Sequence, residues 1–382
     1  MKICNHCSKD KFLKKIIKTE GSPGKCTLCE EKRKSVISVE EEIFTKAIAC
    51  LARYYYSEYE YHTKLGGRNL EVLLTEENQI FRFPASKDKL EREEFVLNAL
   101  DGIYEDDDVQ VITAYGREIY QYYPLDAVRL GDDSLIKSIK RELETRNYFL
   151  VEPQYQKVFN NFEKYISKRI SAGKIFYRAR IGAKESAVDY VPENNSRIKY
   201  FTPHQGKEIG APPIHFASSG RVNRPGVSYL YLASNTETAI SEIRPHPGDK
   251  VSTGQFVLKN KIIVADLSSH EILKNHMTNE GLDELAYIVS IENTMANASP
   301  PSNKSFYGIT QFITEMFRKM NFDGVMFKSS VCKGKNLVIF DPSNLEWQQN
   351  SGEVHEVKGL KYSLSNCKLY DESKKDKYNR IL

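Results

Sequence analysis

The chain has 382 residues, 40% of them hydrophobic, and a formal net charge of +4 from 55 basic and 51 acidic side chains. This length predicts about two to three domains, the hydrophobic share suffices for a packed core, and the charge is too balanced to demand a nucleic-acid partner. No apolar run approaches the roughly 18 residues of a membrane span. The opening MKICNHCSKDKF has no apolar stretch after its lysine, so no secretory signal is read and a cytoplasmic protein with no membrane partner is expected.

Of seven cysteines, four are ordered: Cys4 and Cys7 in CNHC, then Cys26 and Cys29 in CTLC, eighteen residues further on. Two C-x2-C knuckles at this separation fit a tetrahedral metal site, each supplying two thiolates. A Gly-Ser-Pro-Gly turn just before the second knuckle suits a ribbon. Cys4, Cys7, Cys26 and Cys29 are therefore assigned to a structural zinc, since four protein ligands leave no open position. His6 is read as a bystander, and Cys50, Cys332 and Cys367 as packing residues. Residues 1–36 form the expected zinc ribbon.

Residues 37–172 read as a helical domain. Ser38, Val39, Glu40 and Glu41 have capping-box spacing, and Ile43, Ala47, Ile48, Leu51 and Tyr55 follow at helical intervals, with Gly66-Gly67 as the stop. Further helices are predicted over about 88–103, 134–148 and 154–170. The acidic run Glu105 to Asp108 lacks ligand spacing and reads as a solvated loop. A short-spaced Arg/His pair on one helix is a way to cut RNA. Arg197 and His204 have a suitable spacing, but they stand among Lys199, Pro203 and Gly206 rather than in a helical pattern.

Residues 173–348 alternate strands and helices, with 349–382 as a C-terminal tail. KIFYRARI (174–181) and Val227 to Ala233 read as strands, separated by a charged, Pro-containing connection over 186–213. Ser234 to Glu237 again has capping-box spacing and opens a helix through about Ile243. Two short strands follow between Gly254 and Leu267, helices near 282–296 and 306–320, and strands near 323–328 and 335–341. The fold class expected is α+β.

FYRAR, GRVNRPG-x-x-YLYLA, TAISE and DGVMFKSS-x5-NLVIFDP, in this order, resemble the RES domain family. The helical segment with its cysteine start resembles the HEPN/RES N-terminal region. The resemblance implies an ADP-ribosyltransferase-like fold and degradation of NAD by hydrolysis or phosphorolysis. It further implies a toxin or anti-phage defence role, with an antitoxin or trigger protein as partner. Carried over by position, the family arginine falls on Arg178, with Arg180 as rival on the same strand face. Arg221 and Asn223 come from GR-x-N, Tyr231 from the strand, the glutamate is Glu242, and the serine is Ser329, with Ser330 as rival.

The residue types suit that chemistry. Loss of nicotinamide leaves an oxocarbenium-like ribose, and a fixed carboxylate beside it stabilises charge that exists only in the transition state. Nicotinamide departs neutral, so no second carboxylate is needed as general acid, unlike ordinary glycoside hydrolysis. Guanidinium forks suit a pyrophosphate, a tyrosine can stack on a ring, and a serine hydroxyl can hold a ribose or amide. No G-x-G-x-x-G fingerprint points to a redox enzyme instead.

The expectation is thus an NAD glycohydrolase or phosphorylase. Glu242, Arg178, Tyr231 and Ser329 are its catalytic set, and Arg178, Arg180, Arg221, Asn223, Tyr231, Ser329 and Ser330 its NAD contacts. Zinc is the structural cofactor, and a homo-oligomer is expected. Two alternatives stand beside it. One is ADP-ribosyl transfer to a macromolecule. The other is a nucleic-acid-binding zinc ribbon on an inactive RES fold, for which Lys11, Lys14, Lys15, Lys18, Lys32, Arg33 and Lys34 supply positive charge.

Overall fold

The computed structural model describes residues 1–105, 124–191, 196–268, 277–296, 307–361, 364 and 366. Asp106 to Asp108 of the acidic run, and Cys367, lie outside the described residues.

The chain opens with β1 (Lys2–Cys4), α1 (Lys11–Glu20), β2 (Ser22–Lys25) and β3 (Lys32–Ser38), the strands lying in the order β1-β3-β2. In α1, Phe12, Leu13, Ile16 and Ile17 recur at helical spacing and are buried as one face. The Asp10 carboxylate caps this helix by accepting from the Leu13 amide at 2.8 Å. Four helices follow: α2 (Glu42–Tyr55), α3 (Glu58–Tyr61), α4 (Leu70–Glu76) and α5 (Lys89–Leu100). Glu41 reaches back to the Ser38 amide at 3.1 Å, so this half of the predicted capping box forms just ahead of α2. The predicted stop at Gly66 is corrected: α2 ends at Tyr55, and Gly66, with φ 87°, closes a separate 3-10 turn. Ile3, Leu13 and Ile37 share a single core with Phe44, Leu51, Phe81 and Phe95, so the cysteine-bearing strands and the helices are packed together.

Helices α6 (Ser134–Thr145) and α7 (Tyr148–Ile166) lead into the main sheet. Its elements, with the hairpin that branches from it, are β4 (Ser167–Ile170), β5 (Ile175–Ile181), β6 (Lys184–Val191), β7 (Ser196–Thr202), β8 (Leu230–Ala233), α8 (Thr236–Glu242), β9 (Lys250–Leu258), β10 (Ile262–Asp266), α9 (Asn279–Ala296), α10 (Tyr307–Lys319), β11 (Gly324–Lys328), β12 (Lys335–Ile339), β13 (Leu345–Trp347) and β14 (Glu353–Glu356). The sheet order is β13-β9-β5-β8-β12-β11-β10-β4, with β14 also paired to β9. The sheet therefore takes in residues past 348. The β10/β11 pair is parallel, and β8, β12 and β11 are joined antiparallel. The protein is mixed α+β.

Strand alternation divides the sheet into two cores. Leu230, Leu232, Leu337 and Ile339 face one, whereas Val325, Phe327 and Val338 face the other with α7, α9 and α10. Helix α9 belongs to two regions: Leu282, Leu285 and Val289 join the N-terminal core, and Ile288, Ile291 and Met295 join the helix side of the sheet. The supposed connection over 186–213 is corrected too, because β6 and β7 pair within it as an antiparallel hairpin. Its apolar residues, Val188, Tyr190, Ile198 and Tyr200, remain exposed, so no buried alternation marked the strands. Among the described residues no helix is long and apolar enough to cross a membrane.

Candidate active site and cysteine cluster

A cavity of about 650 Å³ opens among β5, β8, the end of α8 and the loop ahead of β8. It is rich in aromatic side chains, among them Tyr177, Phe216, Tyr229, Tyr231, Tyr307 and Phe327. Glu242 lies on its wall as the last residue of α8, one residue short of the helix end expected at about Ile243. A carboxylate there opposes the helix dipole, which favours cations at a C-terminus. Two donors hold it. Ser329 Oγ donates to Glu242 Oε1 at 2.6 Å, and Asn336 Nδ2 donates to the same oxygen at 2.7 Å. The other oxygen, Oε2, has no side-chain donor among the described residues.

Arg178 enters from β5 and lines the cavity. One Nη donates to the Tyr231 carbonyl at 2.8 Å, while its buried Nε has no partner. Burial pulls its pKa down to about 10, so the guanidinium is still charged at neutral pH. Arg180 does not line the cavity; it is exposed and donates to the Glu208 carbonyl. Strand position alone therefore did not decide between the two.

The GR-x-N loop is built around Tyr231. Its hydroxyl donates to Asn223 Oδ1 at 2.5 Å and accepts from the Val222 amide at 3.4 Å. Burial pushes the phenol well above its ordinary range, so it stays neutral and able to donate. The Asn223 amide in turn donates to the carbonyls of Ser218 and Val227, both at 2.9 Å. Gln311 of α10 donates to the carbonyls of Gly220 and Asn223 at 2.8 and 2.9 Å. Gly220 is required by space: a Cβ there would sit 2.4 Å from Asn223 Oδ1 and 2.6 Å from the Tyr231 hydroxyl. Arg221 lines the cavity and donates to the Met295 carbonyl, at the end of α9, at 2.9 Å.

Neither serine lines the cavity, but Ser329 meets Glu242 directly, whereas Ser330 is exposed. The structure thus gathers Glu242, Arg178, Tyr231, Arg221, Asn223 and Ser329 and leaves Arg180 and Ser330 aside. It adds Asn336, which the sequence reading passed over. Its only signal was an amide at the start of an otherwise apolar strand, NLVIF, where a buried polar group needs a partner. Arg197 and His204 do not share a helix; Arg197 is on β7 and His204 follows that strand.

The second polar centre lies far along the chain from this cleft. Sulfurs of Cys4, Cys7, Cys26 and Cys29 all lie within 4.8 Å of one another, with no disulfide between them. Cys4 and Cys29 are separated by 3.8 Å, as are Cys7 and Cys26. Tetrahedral thiolates with metal bonds of about 2.3 Å have sulfur-sulfur separations of about 3.8 Å, so the donor set fits zinc. Burial raises the pKa of the Cys4 thiol although the amides of Cys7 and His6 act against it, whereas the Cys7 thiol, helped by the amides of Cys29 and Leu28, lowers that of Cys26. His6 is exposed, Cys50 is buried and Cys332 is half-buried.

An aromatic cleft lined by Arg178, Arg221, Arg244 and one carboxylate, Glu242, on a mixed α+β sheet is the arrangement these residues define. Residues 197–357 match the family described as RES domain. Glu242, Tyr231, Arg221, Asn223, Ser329 and Asn336 lie within that span, and Arg178 lies ahead of it. Among solved structures, the chain is similar to a chain of the M. tuberculosis MbcT-MbcA toxin-antitoxin complex, at 13% identity and a TM-score of 0.31. That similarity covers 52% of this chain and 91% of the other. No curated protein sequence matches.

Proposed function

We propose that the chain cleaves the nicotinamide-ribose bond of NAD, as a glycohydrolase or an NAD phosphorylase of the toxin or defence type. The observation that carries this reading is the fixed carboxylate. Glu242 sits on an aromatic cavity wall against its helix dipole, with two donors committed to Oε1. That leaves Oε2 to face a developing cation. Preorganised charge of this kind costs no reorganisation when the ribose becomes positive. Arg178 supports the same reading: a buried guanidinium with an unpartnered Nε is better satisfied when an anion such as a pyrophosphate is bound. Tyr231, Asn223 and Ser329 position these groups and the substrate. The four cysteines would hold a structural zinc, and the helices between ribbon and sheet would serve as a regulatory or targeting module, with an antitoxin or trigger protein as partner.

The test is Glu242→Gln. The variant should fold and bind NAD, and its turnover should fall by about 100- to 1000-fold, as when one preorganised electrostatic group is lost. Mass spectrometry of the products with and without phosphate separates hydrolysis from phosphorolysis. ADP-ribose attached to protein or nucleic acid in place of free product would move the assignment to macromolecular transfer. Near-wild-type turnover by Glu242→Gln would refute the mechanism.

A further inference from the structure

Two cavity residues outside the described hydrogen bonds to Glu242 stand out, one by its backbone conformation and one by its exposure. Arg244 has φ 50°, in the left-handed region. Among the described residues the other non-glycines there are Glu30, Asn321 and Asn350, and of the four only Arg244 lines the cavity. Long side chains seldom adopt this conformation, and where they do the surroundings hold them in it, often at a binding site. The Arg244 amide donates to the Ser241 carbonyl at 3.2 Å, so the chain turns sharply just past Glu242.

Phe216 is the second. It lines the same cavity yet is 80% exposed. A lone exposed apolar side chain is ordinary; this one is mounted on a closed frame. The Phe216 amide donates to the Pro213 carbonyl at 2.8 Å and the Ala217 amide to the Ile214 carbonyl at 3.1 Å. Ser228 Oγ anchors the turn through the Pro212 carbonyl at 2.5 Å, and the Gly226 amide anchors it through the Ala217 carbonyl at 2.9 Å. The frame holds the ring on the cavity lining, largely uncovered by the described residues.

This step rests on the proposed cleavage of NAD. With the scissile ribose at Glu242, the other half of the substrate must leave toward the mouth. We infer that Arg244 and Phe216 form a subsite for that distal half. The guanidinium takes the pyrophosphate, which a planar fork suits, and the phenyl ring stacks on the adenine. The subsite makes the enzyme selective for dinucleotides over nicotinamide mononucleotide, which has no adenine to stack.

Calorimetry on full-length Glu242→Gln protein tests this, with NAD and nicotinamide mononucleotide as probes. Adding Phe216→Ala should weaken NAD about tenfold, the scale of one lost base-aromatic stack, and leave the mononucleotide affinity where it was. Phe216→Trp should retain NAD affinity. Adding Arg244→Gly should weaken NAD similarly while the melting temperature holds or rises, because glycine adopts this φ without strain. The subsite is overturned by NAD affinity unmoved in either variant or by equal losses for both probes in Phe216→Ala. It is also overturned by a melting temperature that falls together with affinity in Arg244→Gly, which marks a structural residue. A parent protein that binds no NAD overturns the cleavage reading and this subsite with it. Binding by the parent with an unmoved Phe216→Ala variant overturns the subsite alone.

Discussion

The cysteine cluster and the cleft are both polar centres, yet they are assembled in different ways. The cluster draws its ligands from two short knuckles, Cys4 to Cys7 and Cys26 to Cys29, which carry much of their own geometry as amide-to-sulfur bonds. The cleft draws on β5, the GR-x-N loop, β8, α8, the segment after β11, and β12. Its key contact joins Ser329 to Glu242 across 87 positions of sequence. A centre built from local turns can be read from spacing. One built from tertiary contacts cannot, because spacing says nothing about which distant side chains converge.

The largest expected effect breaks the local centre. Cys4→Ser with Cys26→Ser should abolish binding of about one zinc per chain, measured by metal analysis of the purified protein. A structural zinc contributes folding free energy on the order of 10 kcal/mol in isolated fingers, so the N-terminal region should lose its cooperative unfolding transition. The shared core makes this sharper. The ribbon packs with α2 and α5, and Leu282, Leu285 and Val289 carry the same core into α9. Loss of protection in amide hydrogen exchange should therefore reach α2. Zinc retained in the double variant, or protection lost only within residues 1–36, would show that the two parts are not coupled as the packing indicates.

Legibility followed the same division. The four clustered cysteines came from spacing alone, and α2 announced itself by apolar period and capping-box spacing; α5 fell within the helix predicted over about 88–103, whereas α1 was not predicted. The exposed hairpin β6/β7 did not, since neither face is buried deeply enough to force an alternation. At the cleft, no single residue stood out: an arginine in a strand or a glutamate in a helix is ordinarily a solvated charge. Only the ordered set of short motifs pointed to Glu242. The choices between Arg178 and Arg180 and between Ser329 and Ser330 needed coordinates, because neighbouring identical residues differ only in what they face. Asn336 was missed for the same reason, as its role exists only where β12 passes the end of α8.

Gly220→Ala attacks the tertiary centre without touching a charged group. A methyl group there would press on Asn223 Oδ1 and the Tyr231 hydroxyl, which are already hydrogen-bonded to each other at 2.5 Å. Overpacking of a tight site costs about 1–3 kcal/mol. Denaturant unfolding should register that loss in the region of the main sheet, and NAD turnover should fall with it. The N-terminal zinc content should be unchanged, which is the mirror image of the cysteine variant. Full stability and activity in Gly220→Ala would mean that the loop has slack the structure does not display.

The smallest expected effect separates two adjacent serines. Ser329 donates to Glu242 Oε1 at 2.6 Å and also accepts from the amides of Val331 and Cys332, both at 3.2 Å. Ser330 is exposed and lies off the cavity. Ser329→Ala removes one of two donors to the carboxylate, a charge-assisted bond of about 1.5–3 kcal/mol. Asn336 still holds the same oxygen, so the cost should fall toward the lower end, roughly a tenfold loss of turnover with little change in KM. Ser330→Ala should stay within about 0.5 kcal/mol of wild type in stability and leave turnover alone. Combining Ser329→Ala with Asn336→Ala removes both donors at once, and the loss should exceed the sum of the single effects if the two share the task of fixing Glu242. Strictly additive losses would mean that each contact acts independently, and that the carboxylate is held by the shape of α8 rather than by its hydrogen bonds.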